Sequence, residues 1–251
     1  ELTLRLTGIP EAAKAGLYSF ADLQAATDTV VEALQFGLCL NRIELMDALQ
    51  MRAINAFNGT DLPEMPTLLV DLTGSAAQVD TDRATFAALA QDHGATVHPV
   101  DTPEAYSHVW ALRHSALYAA RGLRPGASSL STDVCVPVSD LPGLVAGITA
   151  TLEAEGLVAP MHGHVGDGNF HLVMLFDPAD AEEMARVQRV HGELVHRALA
   201  LGGTATGEHG VGLGKKPYME AEHGAALALM KRLKVAVDPQ NLMNPGKIFD
   251  I

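Results

Sequence analysis

Residues 2–6, LTLRL, alternate apolar and polar positions with the period of two that gives a strand one apolar face. At Ser19 the spacing turns helical, with Asp22 three positions on as in a near capping box, and the helix runs to Phe36 with Gly37 as its stop. LCLNRI (38–43) predicts a strand, and ELMDALQMRAINAF (44–57) predicts a helix ended by Asn58-Gly59. TLLVDL (67–72) is a strong apolar strand, residues 80–92 form a helix closed by Gly94, and ATVHPV (95–100) is a strand. With the 44–57 helix set aside as an insertion, the order is strand-helix-strand, strand-helix-strand.

The second half repeats this order. A long helix over 103–122 leads to STDVCVPV (131–138), a strand with Pro137 near its end, and then to a helix over 141–156. VAPMHGH (158–164) and NFHLVMLF (169–176) read as strands either side of the turn Gly166-Asp167-Gly168. A long helix over 179–203 follows, then a short strand at 204–206 and a C-terminal helix stopped at Asp238-Pro239. The expected fold class is α+β: duplicated ferredoxin-like (βαββαβ) halves forming one antiparallel sheet with flanking helices. The halves fall at about 1–100 and 123–206, with a C-terminal helix and tail over 207–251. No low-complexity linker separates them, so 1–251 is expected to be one domain.

Composition narrows the function classes. The 251 residues are 48% hydrophobic and 19% charged, enough apolar material for a sizeable core. A net charge of −13 argues against a nucleic-acid surface, but a few local cations still suffice for a small anionic substrate. The two cysteines, Cys39 and Cys135, make no metal or redox pair by spacing and suit a reducing compartment. No signal peptide opens the chain, and no apolar run reaches the roughly 20 residues of a membrane span. The expected location is cytoplasmic, with any association at the inner membrane peripheral. The chain lacks an initiator Met and opens on a strand pattern, which predicts a fragment of a longer product.

Chemistry concentrates in MHGHVGDGNFHLVM (161–174) and TATGEHGVGLGKK (204–216). His162 and His164 share one face of their strand, and His171 and Asn169 share one face of the next. The turn at 166–168 would let His164 and His171 approach as a pair of metal ligands, with Glu208 as the best third. His209, adjacent but pointed differently, could then serve as a general base. A His₂Glu set with an open position has the pattern of a catalytic site. The plainer reading is that glycine-rich turns serve backbone geometry and that single histidines are structural or surface residues. That reading is taken for His93, His98, His108, His191, His196 and His223. Arg113 reads either as a solvated helix residue or as a clamp on a substrate carboxylate. Tyr106, Trp110 and Tyr118 are assigned to the core, and Lys215 and Lys216 to a solvated pair. GVGLGKK is not a phosphate loop, because no Ser or Thr follows the lysine and no strong strand precedes it.

Four ordered segments carry a family resemblance: LRPGASSLSTDVCVPVSDLP (123–142), GHVGDGNFHLVMLFDP (163–178), ATGEHGVGLGKKPYM (205–219) and VDPQNLMNPGKIF (237–249). Together they resemble the C-terminal domain of FAD-linked oxidases of the vanillyl-alcohol-oxidase type, and within them D-lactate dehydrogenases and glycolate oxidase subunits. The resemblance implies FAD, held mainly by an N-terminal domain not recognisable here, so the chain alone is expected to be inactive. It implies a divalent metal (zinc, manganese or iron) on His164, His171 and Glu208, and His209 taking the hydroxyl proton while hydride leaves to the flavin. It gives Arg113 and Asn169 to the substrate and Asn244 to the flavin. The implied partners are a small 2-hydroxy acid and an electron acceptor such as a cytochrome or quinone. Relatives acting on dicarboxylates have a lysine and a threonine near the substrate's far carboxylate. The comparable positions here are Ser131 and Leu117, which favours a short monocarboxylate such as D-lactate. A glycolate oxidase or D-2-hydroxyglutarate dehydrogenase domain, an ether-lipid synthase, a self-contained metallohydrolase and a non-enzymatic binding module remain the alternatives.

Overall fold

Alternation gives a segment an apolar face, but a strand also needs a neighbour to accept its hydrogen bonds. In the computed structural model, which describes residues 2–6 and 8–251, the segment 2–6 belongs to no strand, and Leu2, Leu4 and Leu6 are between 73 and 88% exposed. The first strand is instead β1 (Ala12–Ser19), half of it alanine and glycine that strand propensity disfavours. Pairing overrides propensity here, because all eight residues of β1 pair antiparallel with β3 (Thr67–Gly74). Gly16 makes room for Tyr18 on the same face: a Cβ at Gly16 would stand 2.5 Å from the Tyr18 side chain.

The chain forms two units, Glu1–Leu123 with Pro160–Gly166, and Arg124–Ala159 with Asp167–Ile251. In the first, β1 is followed by α1 (Leu23–Gln35), β2 (Leu40–Met46), α2 (Ala48–Asn58), β3, α3 (Ala76–Asp92) and β4 (Thr96–Val100). The antiparallel order β4-β1-β3-β2 is the ferredoxin-like order, with α2 inserted between β2 and β3. Asp22, not Ser19, caps α1, accepting from the Ala25 amide at 2.8 Å. Glu44, Leu45 and Met46, expected at the start of a helix, complete β2, and Asp47 caps α2 by accepting from the Gln50 amide at 2.7 Å. The expected 103–122 helix is two helices, α4 (Pro103–His114) and α5 (Ala116–Gly122), divided at Ser115. Leu17, Met46, Met51, Ile54, Leu69 and Trp110 share one core cluster, and the Arg42 guanidinium lies 3.8 Å from the centre of the Trp110 ring. Tyr118 is no core residue, being 64% exposed.

The second unit repeats the plan. β5 (Ser128–Ser131) and β6 (Val134–Cys135) lead to α6 (Leu141–Glu155); β7 (Met161–Gly163) then pairs with β2 of the first unit. The second unit resumes with β8 (Asn169–Phe176), α7 (Ala181–Ala200), α8 (Met219–His223) and α9 (Ala226–Val237). β5 and β6 both pair antiparallel with β8, Val158 bridges to Leu175, and Thr204 bridges to Cys135. The order Thr204–β6–β8–Val158 mirrors β4-β1-β3-β2. Val187, Val190, Leu194 and Ala198 are fully buried at helical spacing on α7, which packs against β8 and α6. The single strand expected over 131–138 is interrupted at Thr132-Asp133, where the Thr132 hydroxyl accepts from the Leu172 amide at 2.9 Å. That side-chain bond takes a place in the ladder and frees the Thr132 carbonyl for another donor.

Asp47 yields a pH prediction. Burial pushes its carboxyl up to about 7 from 3.8, against the amides of Gln50 and Met161, which favour the charged form. The folded state thus holds this proton more tightly than the unfolded state. Its stabilising contribution is complete below about pH 4 and is lost as pH rises towards 7. Asn caps a helix as well as Asp. In urea unfolding, Asp47→Asn should be more stable than wild type above pH 7, with the difference vanishing near pH 4. Parallel pH profiles for the two proteins would disprove this account.

Candidate active site

β8 places Asn169 and His171 on one face, both buried, beside the interruption at Thr132-Asp133. His171 Nδ1 lies 3.0 Å from the freed Thr132 carbonyl, which can only accept, so Nδ1 carries the hydrogen and Nε2 bears a lone pair. Nε2 faces Glu208 Oε1 at 3.1 Å. The His209 ring stacks on His171 with centroids 4.8 Å apart and 9° between planes, and its Nε2 is 3.8 Å from Glu208 Oε1. Asp133, His171, Glu208 and His209 each offer a ligand atom within 4.8 Å of the others.

Asp133 organises this group. Its carboxylate is fully buried and accepts from Asn169 Nδ2 at 3.1 Å, Thr206 Oγ1 at 2.8 Å, the amides of Glu208 and His209, and Lys215 Nζ at 2.8 Å. Its carbonyl accepts from the Gly207 amide at 2.8 Å. Burial raises the Asp133 pKa, but these bonds, led by that of Lys215, hold it well below the usual carboxylate range. With its lone pairs filled in this way, Asp133 is an anchor, and the ligand-type atoms left are those of His171, Glu208 and His209. The loop carrying Glu208 has no regular secondary structure and follows Asp133 closely only because residue 207 is glycine: a Cβ there would stand 2.0 Å from Asn169 Nδ2. Gly168 meets a second constraint, with φ +74° and a Cβ position 1.9 Å from the Val136 carbonyl oxygen.

Burial pushes the His171 pKa down, aided by the charge of His209 and opposed by the Thr132 carbonyl. Neutral imidazole is the form that binds metal. Asn169 donates to Asp133 and to the Val134 carbonyl, while its buried Oδ1 has no hydrogen-bond partner among the described residues.

The second unit thus brings together Asn169, His171, Glu208 and His209. Asn244 lies exposed in the tail of this unit, with φ 49°. The tail is joined to the glycine loop by the Ile248 amide on the Gly212 carbonyl at 2.8 Å. Arg113 and His164 belong to the first unit, where the Arg113 Nε meets Glu44 Oε2 at 2.8 Å and His164 Nδ1 meets Glu44 Oε1 at 2.6 Å. The sequence reading missed Glu44 and Asp133 as site residues. It also misplaced Lys215, which is 8% exposed and paired, not solvated.

Residues 9–248 match the model for FAD linked oxidases, C-terminal domain. The chain belongs to this family. This domain is 41% identical over 99% of its length to the probable mitochondrial D-lactate dehydrogenase of Danio rerio, covering 50% of that protein. It is 39% identical to the mitochondrial D-lactate dehydrogenase [cytochrome] of Arabidopsis thaliana, over 99% of this chain and 44% of that protein. It is 32% identical to the glycolate oxidase subunit GlcD of Bacillus subtilis, over 99% of this chain and 53% of that one. The chain spans about half the length of the curated relatives it matches. The 4-ethylphenol oxidase of Gulosibacter chungangensis superposes with a TM-score of 0.73 at 14% identity, over 98% of this chain and 56% of that one, which shows the fold. Among the described residues no helix is long and apolar enough to cross a membrane.

Removing Lys215 would leave the Asp133 charge buried with one partner fewer. Lys215→Met should cost about 3–5 kcal/mol, the range for breaking a buried ion pair from one side. Pairing it with Asp133→Asn should cost less than the sum of the two single losses in denaturant unfolding. A loss of Lys215 costing under about 1 kcal/mol would show that the pair does not hold the loop.

Proposed function

We propose that this chain is the substrate- and metal-binding domain of a flavin-dependent D-2-hydroxy acid dehydrogenase that oxidises D-lactate to pyruvate. The observation that carries the reading is the pair His171 Nε2 and Glu208 Oε1, two lone-pair atoms at 3.1 Å. Two acceptors at that distance call for a cation or a proton between them. A lowered His171 pKa favours the cation, and the donor set of imidazole and carboxylate suits zinc, manganese or iron. The buried Asn169 Oδ1, two residues away on the same face of β8, is a further acceptor without a partner among the described residues.

A flavin fits less well within the described residues. The glycine-rich loop over 207–214 leads into a 3₁₀ turn at Lys216–Tyr218 with proline at its start, and so offers no helix N-terminus for a pyrophosphate. FAD is therefore assigned to a further domain of the complete protein, on the strength of family membership, with a cytochrome-type acceptor after it as the relatives' names suggest.

When bound, a divalent cation would lower the pKa of a coordinated α-hydroxyl. His209 then has the position and exposure to take the hydroxyl proton: its amide is fixed by Asp133 at 2.8 Å, its ring is stacked on His171, and its side chain is 46% exposed. Glu208 and His171 would hold the cation, and the buried Asn169 Oδ1 stands on the same face of β8 as His171 as a further acceptor. Arg113 presents a guanidinium of the type that binds a carboxylate bidentately. His164 is assigned to the metal by family resemblance.

The test follows dye reduction by the complete FAD-loaded protein with D-lactate, L-lactate, glycolate and D-2-hydroxyglutarate. D-selective, chelator-sensitive reduction is expected, with His209→Ala losing about 10²- to 10⁴-fold in kcat. Preference for glycolate would move the assignment to a glycolate oxidase. Ester hydrolysis without flavin, and no reduction by any 2-hydroxy acid, would favour a metallohydrolase.

A further inference from the structure

Glu44 lies in β2 between the buried Ile43 and Leu45 and is itself 2% exposed. A carboxylate in that position is costly unless both oxygens are satisfied. Here each oxygen has its own partner: Oε2 accepts from Arg113 Nε at 2.8 Å, and Oε1 stands 2.6 Å from His164 Nδ1.

The two contacts have chemical consequences beyond balancing charge. An ionised carboxylate only accepts, so His164 Nδ1 must carry its hydrogen, and the lone pair is then confined to Nε2. This is the arrangement in which an outer carboxylate fixes the tautomer and ring direction of a metal-binding histidine. Arg113 is bound at Nε alone. Its two terminal nitrogens make no hydrogen bond or ion pair among the described residues, which leaves the outer edge of the guanidinium as the free fork for a planar anion. Side-chain exposures of 13% for Arg113 and 3% for Glu44 show that this orientation is held inside the unit and is not a surface average.

We propose that Glu44 is a positioning residue: through its two oxygens it sets the Nε2 lone pair of His164 for metal and the terminal edge of Arg113 for the substrate carboxylate. The proposal rests on the function proposed above. It also accounts for an otherwise unfavourable buried acid, since an apolar residue in this strand would satisfy the fold but leave both side chains free to turn. Glutamine is not equivalent. Its carbonyl goes to the charged Arg113 Nε–H, the stronger donor, and its NH₂ then faces His164 Nδ1 and forces the other tautomer.

The experiment compares wild type, Glu44→Gln and Glu44→Asp in this same chain. Histidine tautomers are read by ¹⁵N NMR above the titration range of imidazole, and Mn²⁺ affinity by titration. Wild-type His164 should be the Nδ1–H tautomer, and Glu44→Gln should shift it towards Nε2–H and weaken Mn²⁺ binding by about 10- to 100-fold. Glu44→Asp keeps the charge but is one methylene short, so it should fall between the two and serve should the glutamine variant fail to fold. In the FAD-loaded complete protein, either variant should raise KM for D-lactate more than it lowers kcat. An unchanged His164 tautomer or unchanged Mn²⁺ affinity in a folded variant would overturn the proposal. Mn²⁺ binding indifferent to His171→Ala would instead overturn the metal-centre reading, and the ligand half of this proposal with it. The tautomer measurement, made without metal, tells the two failures apart.

Discussion

A carboxylate withdrawn from water stays ionised only where donors take up its lone pairs, and Asp133 is fully buried. Its donors come from three places: Asn169 on β8, the segment Thr206–His209, and Lys215. Satisfying one acid therefore fixes the path of a loop that has no helix or strand of its own to hold it. Glu208 and His209 face His171 because their amides are bound to Asp133. The glycine at 207 is the steric condition for that closeness. The Thr132 hydroxyl completes the arrangement by standing in for a ladder acceptor, which leaves its carbonyl to set the His171 tautomer.

The first unit handles a buried acid in the same way at Glu44, with Arg113 and His164 as partners. Neither acid is explained by stability, since apolar residues of similar size often serve a core as well or better. What both acids supply is direction: Glu44 holds Arg113 and His164 from within β2, and Asp133 holds the amides of Glu208 and His209 from the break between β5 and β6. In the proposed metal and substrate site such support matters, because a small error in orientation weakens binding.

The frame carrying these groups is tolerant of sequence. The fold is shared at a TM-score of 0.73 with an oxidase only 14% identical. An antiparallel βαββαβ layer needs alternating apolar positions, caps and turns, and many sequences supply them. Function therefore rests with the site residues, not with the sheet.

The sequence by itself determined much of the local structure. β8 falls at the residues its apolar run marked, and α6, α7 and α9 lie close to their caps and stops, because periodicity and capping are local properties. The grouping of His171, Glu208 and His209 could be suspected because three ionisable side chains amid glycine are poor packing material. Other features were decided only in three dimensions. LTLRL has the better strand pattern, yet AAKAGLYS is the strand, because β3 offers it a complete register. Residues 44–46 suit a helix or a strand, and the pairing with β3 chooses the strand. Lys215 looks like a solvated charge in the sequence, and nothing local marks Glu44 or Asp133, because their partners are remote: Glu44 is 69 positions from Arg113 and 120 from His164, and Asp133 is 82 from Lys215. Periodicity tells which face of an element is apolar. Only tertiary contact tells which charge will be buried, because that depends on donors brought in from far along the chain.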